Sequence, residues 1–216
     1  MALELFSHPF SSYCQKALIA LFENGTPFTY RMLEDEGVGE ELARIWPLGR
    51  FPVLREGDRV VPEATMIIEY LDVHHAGPVQ LIPEDRDAAI AVRMMDRFFD
   101  NYIASPQQRI VFNSLRDEAA RDAHGVTEAQ SLLDKAYRWL DGYMDDREWA
   151  AGDFSLADCA AAPQLFYADW THAIPAEFAN VHAYRQRLIE RPSFARAIDE
   201  GRPYRSYFPL GAPDRD

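Results

Sequence analysis

The chain lacks any run of about eighteen consecutive apolar residues, so no segment reads as a membrane-spanning helix and no membrane partner is expected. Its opening residues, Met1-Ala2-Leu3-Glu4, carry neither the charged nor the apolar region of a secretory signal, and no targeting segment is expected. Cysteine is scarce. The two present, Cys14 and Cys159, make no disulfide framework, which implies a reducing, cytoplasmic setting. Positive charge is also in short supply: 22 Lys and Arg face 35 Asp and Glu, for a net charge of −13. The acidic excess is shared by both halves, which excludes a basic nucleic-acid module. The six histidines show no ligand spacing, and no metal is expected. What remains is a chain of 216 residues, 48% hydrophobic, able to bury a sizeable core in one or two domains.

The N-terminal third is the most informative part. Leu3–Phe6 reads as a strand, Cys14–Glu23 as a helix, and Phe28, Tyr30 and Met32 alternate as in a second strand. A charged, irregular stretch follows, then Phe51-Pro52-Val53-Leu54, the turn Gly57-Asp58, Val60-Val61, and a helix from about Thr65 to Val73. A βαβ unit followed by a ββα unit is the thioredoxin-like plan, in which the proline before the third strand is cis; Pro52 holds that place.

Ser11-Ser12-Tyr13-Cys14 falls at the start of the first helix, where unpaired N–H groups and a partial positive charge favour a thiolate. The plain structural reading of this tetrapeptide is a serine N-cap followed by a small buried cysteine. The functional reading places there a hydroxyl that activates a ligand thiol.

The order of motifs resembles the cytosolic glutathione S-transferases of bacterial-like, serine type, over nearly the whole chain. Trp46-Pro47-Leu48-Gly49-Arg50-Phe51-Pro52-Val53-Leu54 is similar to the family's segment around the cis proline, and Glu63-Ala64-Thr65-Met66-Ile67-Ile68-Glu69-Tyr70-Leu71 to its third-helix start. Gly152-Asp153-Phe154-Ser155-Leu156-Ala157-Asp158 is similar to its capping motif in the second domain. The resemblance implies glutathione as co-substrate, a small hydrophobic electrophile, a homodimer, and a transferase active in detoxification. It implies Ser11 as the donor to the thiol, with Ser12 one residue away and Tyr13 as the other contenders. It also implies Val53 pairing by backbone with the cysteinyl part after cis-Pro52 and Phe51, Glu63 taking the γ-glutamyl ammonium, and the helix start at Ala64 taking the adjoining carboxylate. Arg50 stands where a family lysine reaches the glycyl carboxylate. Two departures stand out. Ala64 replaces a serine, with Thr65 next along as a substitute hydroxyl, and Trp46 replaces an asparagine, read as a change in loop packing.

Two alternatives stay open: a catalytically weak protein of the same fold that binds or adapts partners, and a glutathione-dependent thiol oxidoreductase using Cys14. Against the latter, Cys14, Ala17, Leu18 and Leu21 share one helical stripe and predict burial of the thiol.

Residues 1–76 are therefore expected to form an α/β, thioredoxin-like domain, 77–84 a linker with its glycine and prolines, and 85–216 an all-α bundle. Apolar periodicity runs across 88–112, 129–144, 156–170, 181–188 and 194–198. Ser155 and Asp158 predict a reciprocal capping pair with Phe154 as staple on Cys159, a folding device. The electrophile is expected between the domains, with Phe10, Phe99, Tyr102, Tyr167 and Trp170 as walls and the aromatic tail Tyr204, Tyr207, Phe208 over the mouth.

Overall fold

The computed structural model describes residues 2–216. Its first part holds β1 (Leu3–Ser7), α1 (Ser12–Glu23), β2 (Phe28–Met32), α2 (Val38–Ile45), β3 (Val53–Glu56), β4 (Arg59–Pro62) and α3 (Ala64–His74). The sheet runs β2-β1-β3-β4, with β1 parallel to β2 and antiparallel to β3. The Phe51–Pro52 peptide is cis, directly before β3. This is the thioredoxin-like arrangement that the order of elements predicts.

One expectation fails here. The charged stretch expected to be irregular forms α2, because Val38 and Leu42 sit four residues apart and close with Phe6 and Val53 over one face of the sheet. Its acidic residues occupy the solvent side, where Glu41 joins Glu4, Arg31 and Arg55 in an ion-pair network.

The helical part comprises α4 (Arg86–Phe98), α5 (Ser105–Ser114), α6 (Ala123–Tyr143), α7 (Leu156–Thr171), α8 (Ala179–Glu190) and α9 (Pro192–Gly201). α7 is the central post, its residues Leu156 to Trp170 all buried, and it packs directly on α1 and α4. A helix apolar on every side has to be enclosed by others. The capping pair is present: Ser155 N–H donates to Asp158 at 3.0 Å and the Ser155 hydroxyl accepts from Ala157. Asp158 does more than cap. Fully buried, it also accepts from Ala150 N–H and from the Tyr184 hydroxyl, at 2.9 and 2.5 Å, and so ties α7 to α8. Phe154 packs edge-on against Trp149 and beneath the Arg191 guanidinium.

The run 88–112 is not one regular helix. Residues Phe99–Ala104 form a π-helical turn between α4 and α5, with the Ser105 N–H bonded to the Asp100 carbonyl. Pro106 explains the interruption, since it has no N–H for the carbonyl of Tyr102 and its ring crowds the preceding turn. The Ser105 hydroxyl also donates to the Asp100 carbonyl, at 2.9 Å.

The segment read as a linker is held rather than loose. The Asn24 amide pairs with both backbone groups of Val79, Leu81 and Ile82 are buried, and Leu156 N–H donates to the Leu81 carbonyl. Gly77 passes so close to Asn24 that a Cβ there would lie 2.4 Å from its side chain.

Candidate functional site

A cleft of about 460 Å³ opens between the two parts of the chain. Four stretches wall it: Ser11 and Tyr13 from the start of α1; Trp46, Gly49, Arg50, Phe51 and Pro52 from the loop before β3; Glu63 and Ala64 from the start of α3; and Arg97 through Phe112 from the α4–π–α5 segment.

Ser11 is the N-cap of α1. Its backbone is extended, at φ −88° and ψ 126°, and its hydroxyl oxygen accepts from Cys14 N–H at 3.4 Å. A hydroxyl that accepts in this way still has its own proton to donate. Ser12, the first residue of α1, does not line the cleft. Tyr13 does. Burial, and then the nearby Asp100 carboxylate, push its phenol up to about 12, so it stays a neutral donor at any physiological pH. Cys14 is fully buried and its thiol is pushed up to about 11 by that burial, which leaves it unreactive, as its helical stripe predicts.

The loop before β3 brings Phe51 and cis-Pro52 to the cleft, with Arg50 exposed beside them. Val53 is buried as the first residue of β3 and pairs with Phe6 and Pro62, so the chain segment at the cleft is Phe51-Pro52 rather than Val53. Trp46, set aside as packing on sequence grounds, also lines the cleft, and its indole N–H is buried without a partner.

Glu63 is the N-cap of α3, with φ 70° and ψ 123°, a conformation rarely tolerated by a residue with a Cβ. Its carboxylate makes no capping bond, so the side chain and the first N–H groups of α3 are both left for a ligand. Thr65 is turned the other way. Its hydroxyl donates to Asp96 at 3.0 Å and accepts from Lys16 and Arg97 at 2.9 and 2.6 Å, which removes it as a stand-in for the serine missing at Ala64.

Behind this wall lies a charged cluster that sequence reading missed. Lys16, fully buried on α1, reaches Asp96 at 2.5 Å and Asp100 at 2.9 Å. Arg97 adds bonds to both carboxylates. Two cations thus meet two anions, as burial of charge requires. One oxygen of Asp100, Oδ1, is buried at the cleft wall without a partner.

The aromatic walls expected for an electrophile lie elsewhere. Phe99 is fully buried in the core. Phe10, Tyr167 and Trp170 enclose a separate small pocket with Arg202 and Arg205, and Phe208 of the tail packs on Tyr167 and Trp170, while Tyr204 meets His8 edge-on and Tyr207 stacks on it. Tyr102 lines an adjoining, largely apolar groove with Met94, Phe98, Leu132, Lys135 and Trp139, which shares Arg97 and Asn101 with the cleft. Met94, Phe98 and Tyr102 recur at intervals of four, as neighbours on one helix face do. What the cleft presents instead is Asn101, Ser105, Gln108 and, at its end, Phe112. Among the described residues no group of three His, Cys, Asp or Glu could hold a metal ion, and no helix is long and apolar enough to cross a membrane.

Comparison with known proteins agrees with this arrangement. Residues 5–79 match the glutathione S-transferase N-terminal domain and residues 94–192 match the C-terminal domain of the same family. The chain is 29% identical to a glutathione S-transferase of Methylobacterium radiotolerans, solved in complex with glutathione sulfonate, with a TM-score of 0.80 over 92% of this chain and 95% of that one. A glutathione S-transferase of Methylobacillus flagellatus, solved with glutathione bound, is 26% identical, with a TM-score of 0.79 over 91% of this chain and 98% of that one. The chain is also 26% identical to a stringent starvation protein A homolog of Coxiella burnetii, over 92% of each. By the two domain matches, which together span most of its length and fall on the two halves of the fold, the chain belongs to the glutathione S-transferase family.

Proposed function

We propose that the cleft binds glutathione and that the Ser11 hydroxyl holds its sulfur as a thiolate for attack on a second substrate. The observation that carries this reading is the meeting of Ser11, Phe51-Pro52 and Glu63 on one cleft, at the ends of α1, β3 and α3. The two similar transferases solved with glutathione sulfonate and with glutathione support it.

A free thiol near 8.5 is only a few per cent ionised at pH 7. Lowering it by about two units takes about 3 kcal/mol, which one hydroxyl donor and the N-terminus of α1 together can supply. Phe51 and Pro52 offer backbone to the cysteinyl unit. Glu63 meets the γ-glutamyl ammonium, with the spare oxygen of Asp100 as a second acceptor, and the N–H groups at Ala64 meet the adjoining carboxylate. Arg50, with the indole N–H of Trp46, meets the glycyl carboxylate. The protein acts in this reading as a cytoplasmic homodimer engaged in detoxification, and two free, buried thiols suit a reducing compartment.

The test is titration calorimetry with reduced glutathione, together with thiolate absorbance near 240 nm, an approximate wavelength for this anion, on wild type and Ser11→Ala. Binding with an absorbance step in wild type, and binding without the step in Ser11→Ala, supports the reading. Equal steps in both reject Ser11 as the activator.

A second reading, a binding or adaptor protein on the same scaffold, is favoured by the similarity to a stringent starvation protein A homolog and by the absence of a serine at Ala64. Such a protein would pass through immobilised glutathione. The oxidoreductase reading finds no support, because the Cys14 thiol is sealed in the core.

A further inference from the structure

The short stretch that joins β1 to α1, His8-Pro9-Phe10-Ser11, is organised by its first residue. Pro9 has no N–H, so the stretch holds three backbone donors, and each of their bonds involves His8. Its own N–H donates to the Cys14 sulfur at 3.4 Å, the Phe10 N–H donates to its Nδ1 at 3.2 Å, and the Ser11 N–H donates to its carbonyl oxygen at 3.0 Å. One residue thereby fixes both peptides that lead into Ser11. His8 does not line the cleft, so it reaches a ligand there only through Ser11.

His8 is held in turn by the C-terminal segment. The Tyr204 ring meets the imidazole edge-on at 4.6 Å, and the Tyr207 ring stacks on it at 6.0 Å. The Tyr207 hydroxyl donates to Glu34 at 2.8 Å, and the same Glu34 oxygen stands 3.5 Å from His8 Nε2. Because Nδ1 accepts, the proton of the neutral ring sits on Nε2, the nitrogen that faces this carboxylate. Just before the two tyrosines, Gly201 comes so close to the loop that a Cβ on it would lie 3.2 Å from the Pro9 carbonyl oxygen. The chain end thus grips the loop whose last residue is Ser11.

We propose that His8 is a positioning residue for the Ser11 hydroxyl, acting through the acceptor at Nδ1 while Tyr204 and Tyr207 keep its ring in place. The inference rests on the glutathione reading above. A hydroxyl that donates to a sulfur has to be aimed, and a misplacement of about 1 Å can cost about a hundredfold in rate. Without the acceptor the Pro9–Phe10 peptide is free to rotate, which turns the Ser11 backbone and swings its hydroxyl. Arg50, Phe51, Pro52 and Glu63 stay where they are. Thiol ionisation should therefore suffer, and the hold on the tripeptide should not.

Three substitutions separate the acceptor from the ring. His8→Asn offers an amide oxygen to the N–H two residues on, as an Asx turn does, but has no ring. His8→Phe keeps a ring between the tyrosines without the acceptor, and His8→Ala has neither. The experiment titrates thiolate absorbance of bound glutathione against pH in these variants, wild type and Ser11→Ala, with calorimetry of S-methylglutathione, which has no ionisable thiol, as the measure of binding. His8→Phe and His8→Ala should lower the ionisation constant of the bound thiol at least about tenfold, the scale of one hydrogen bond to a charged group, and His8→Asn should recover most of that loss. S-methylglutathione should bind all three alike. Either acceptor-free variant that folds by circular dichroism completes the comparison with His8→Asn. Full ionisation in a folded variant without the acceptor overturns the proposal, as does a His8→Asn no better than the other two, or a matching loss of S-methylglutathione binding, which would assign His8 to holding the tripeptide. A wild type that does not ionise the thiol, or a Ser11→Ala that does, refutes the glutathione reading and takes this proposal with it; ionisation lost in Ser11→Ala but kept without the acceptor refutes this proposal alone.

Discussion

Lys16 on α1 and Asp96 on α4 meet at 2.5 Å with neither side chain reaching solvent. The contact crosses from the sheet-bearing part of the chain to the helical part, and Asp100 and Arg97 extend it to the cleft wall. Its value lies in alignment: the cleft wall on α1 and the cleft wall on α4–α5 are fastened to each other through four charged side chains.

Removing Lys16 alone should therefore be severe. Lys16→Met leaves Asp96 and Asp100 facing each other with one cation between them, and breaking a buried pair on one side typically costs about 3–5 kcal/mol. Urea unfolding followed by circular dichroism would read the loss. A change below about 1 kcal/mol, the range of exposed ion pairs, would show that the cluster is solvated in solution.

Ser11 caps α1, and the proposed function adds donation to a thiol; two substitutions separate the two roles. Ser11→Ala should lose about 1 kcal/mol of stability with the cap, whereas Ser11→Gly should lose only a few tenths. Both should abolish most of the turnover, because neither has a hydroxyl. Parallel melting curves and conjugation rates would decide, and retention of full rate in Ser11→Gly would leave the α1 end without a role in activation.

At Glu63, binding and stability should move in opposite directions. Glycine accepts φ 70° without penalty, so Glu63→Gly should relieve about 1–3 kcal/mol of backbone strain. The same change removes the carboxylate and should weaken glutathione binding by about 1.5–3 kcal/mol, the worth of a hydrogen bond to a charged group. A variant that both melts earlier and binds normally would contradict the assignment.

Cys14 should resist alkylation in the folded protein. With its thiol at about 11, far less thiolate exists at pH 8 than in an unfolded chain, where the value is near 9. The sign for stability follows from the same shift. The unfolded chain releases this proton first as pH rises, so the contribution of Cys14 is complete below pH 9 and is lost as pH climbs through about 11. Iodoacetamide labelling with mass spectrometry, with and without urea, checks the first statement. Denaturant midpoints between pH 8 and 10.5, approximate bounds set by the ordinary thiol range, check the second.

Much of the scaffold could be read from residue order. The first strand and helix, the cis proline and the Ser155–Asp158 cap each depend on local chemistry that a short window contains. α2 was obscured because its two buried residues, Val38 and Leu42, are outnumbered by charge in the same window. That Ser11, Arg50, Phe51, Pro52, Glu63 and Ala64 share one neighbourhood was legible, and all of them line the cleft. Thr65 could not be placed, since its inward turn answers to Lys16 and Asp96, 49 and 31 residues away along the chain. The aromatic walls expected between the domains were misplaced for a related reason, since Phe99 goes to the core and Phe10, Tyr167 and Trp170 to a separate pocket. Exposed amides on a helix look like an ordinary solvent face until the fold sets a second wall opposite them.

The π turn at Phe99–Ala104 takes up one residue more than an α-helix would spend on about the same rotation. Deleting one residue there would let the backbone close to ordinary i→i−4 bonding while α4 and α5 kept their faces. A natural length change of one residue in this turn would thus be absorbed locally, altering only which side chains between Asp100 and Ala104 meet the cleft.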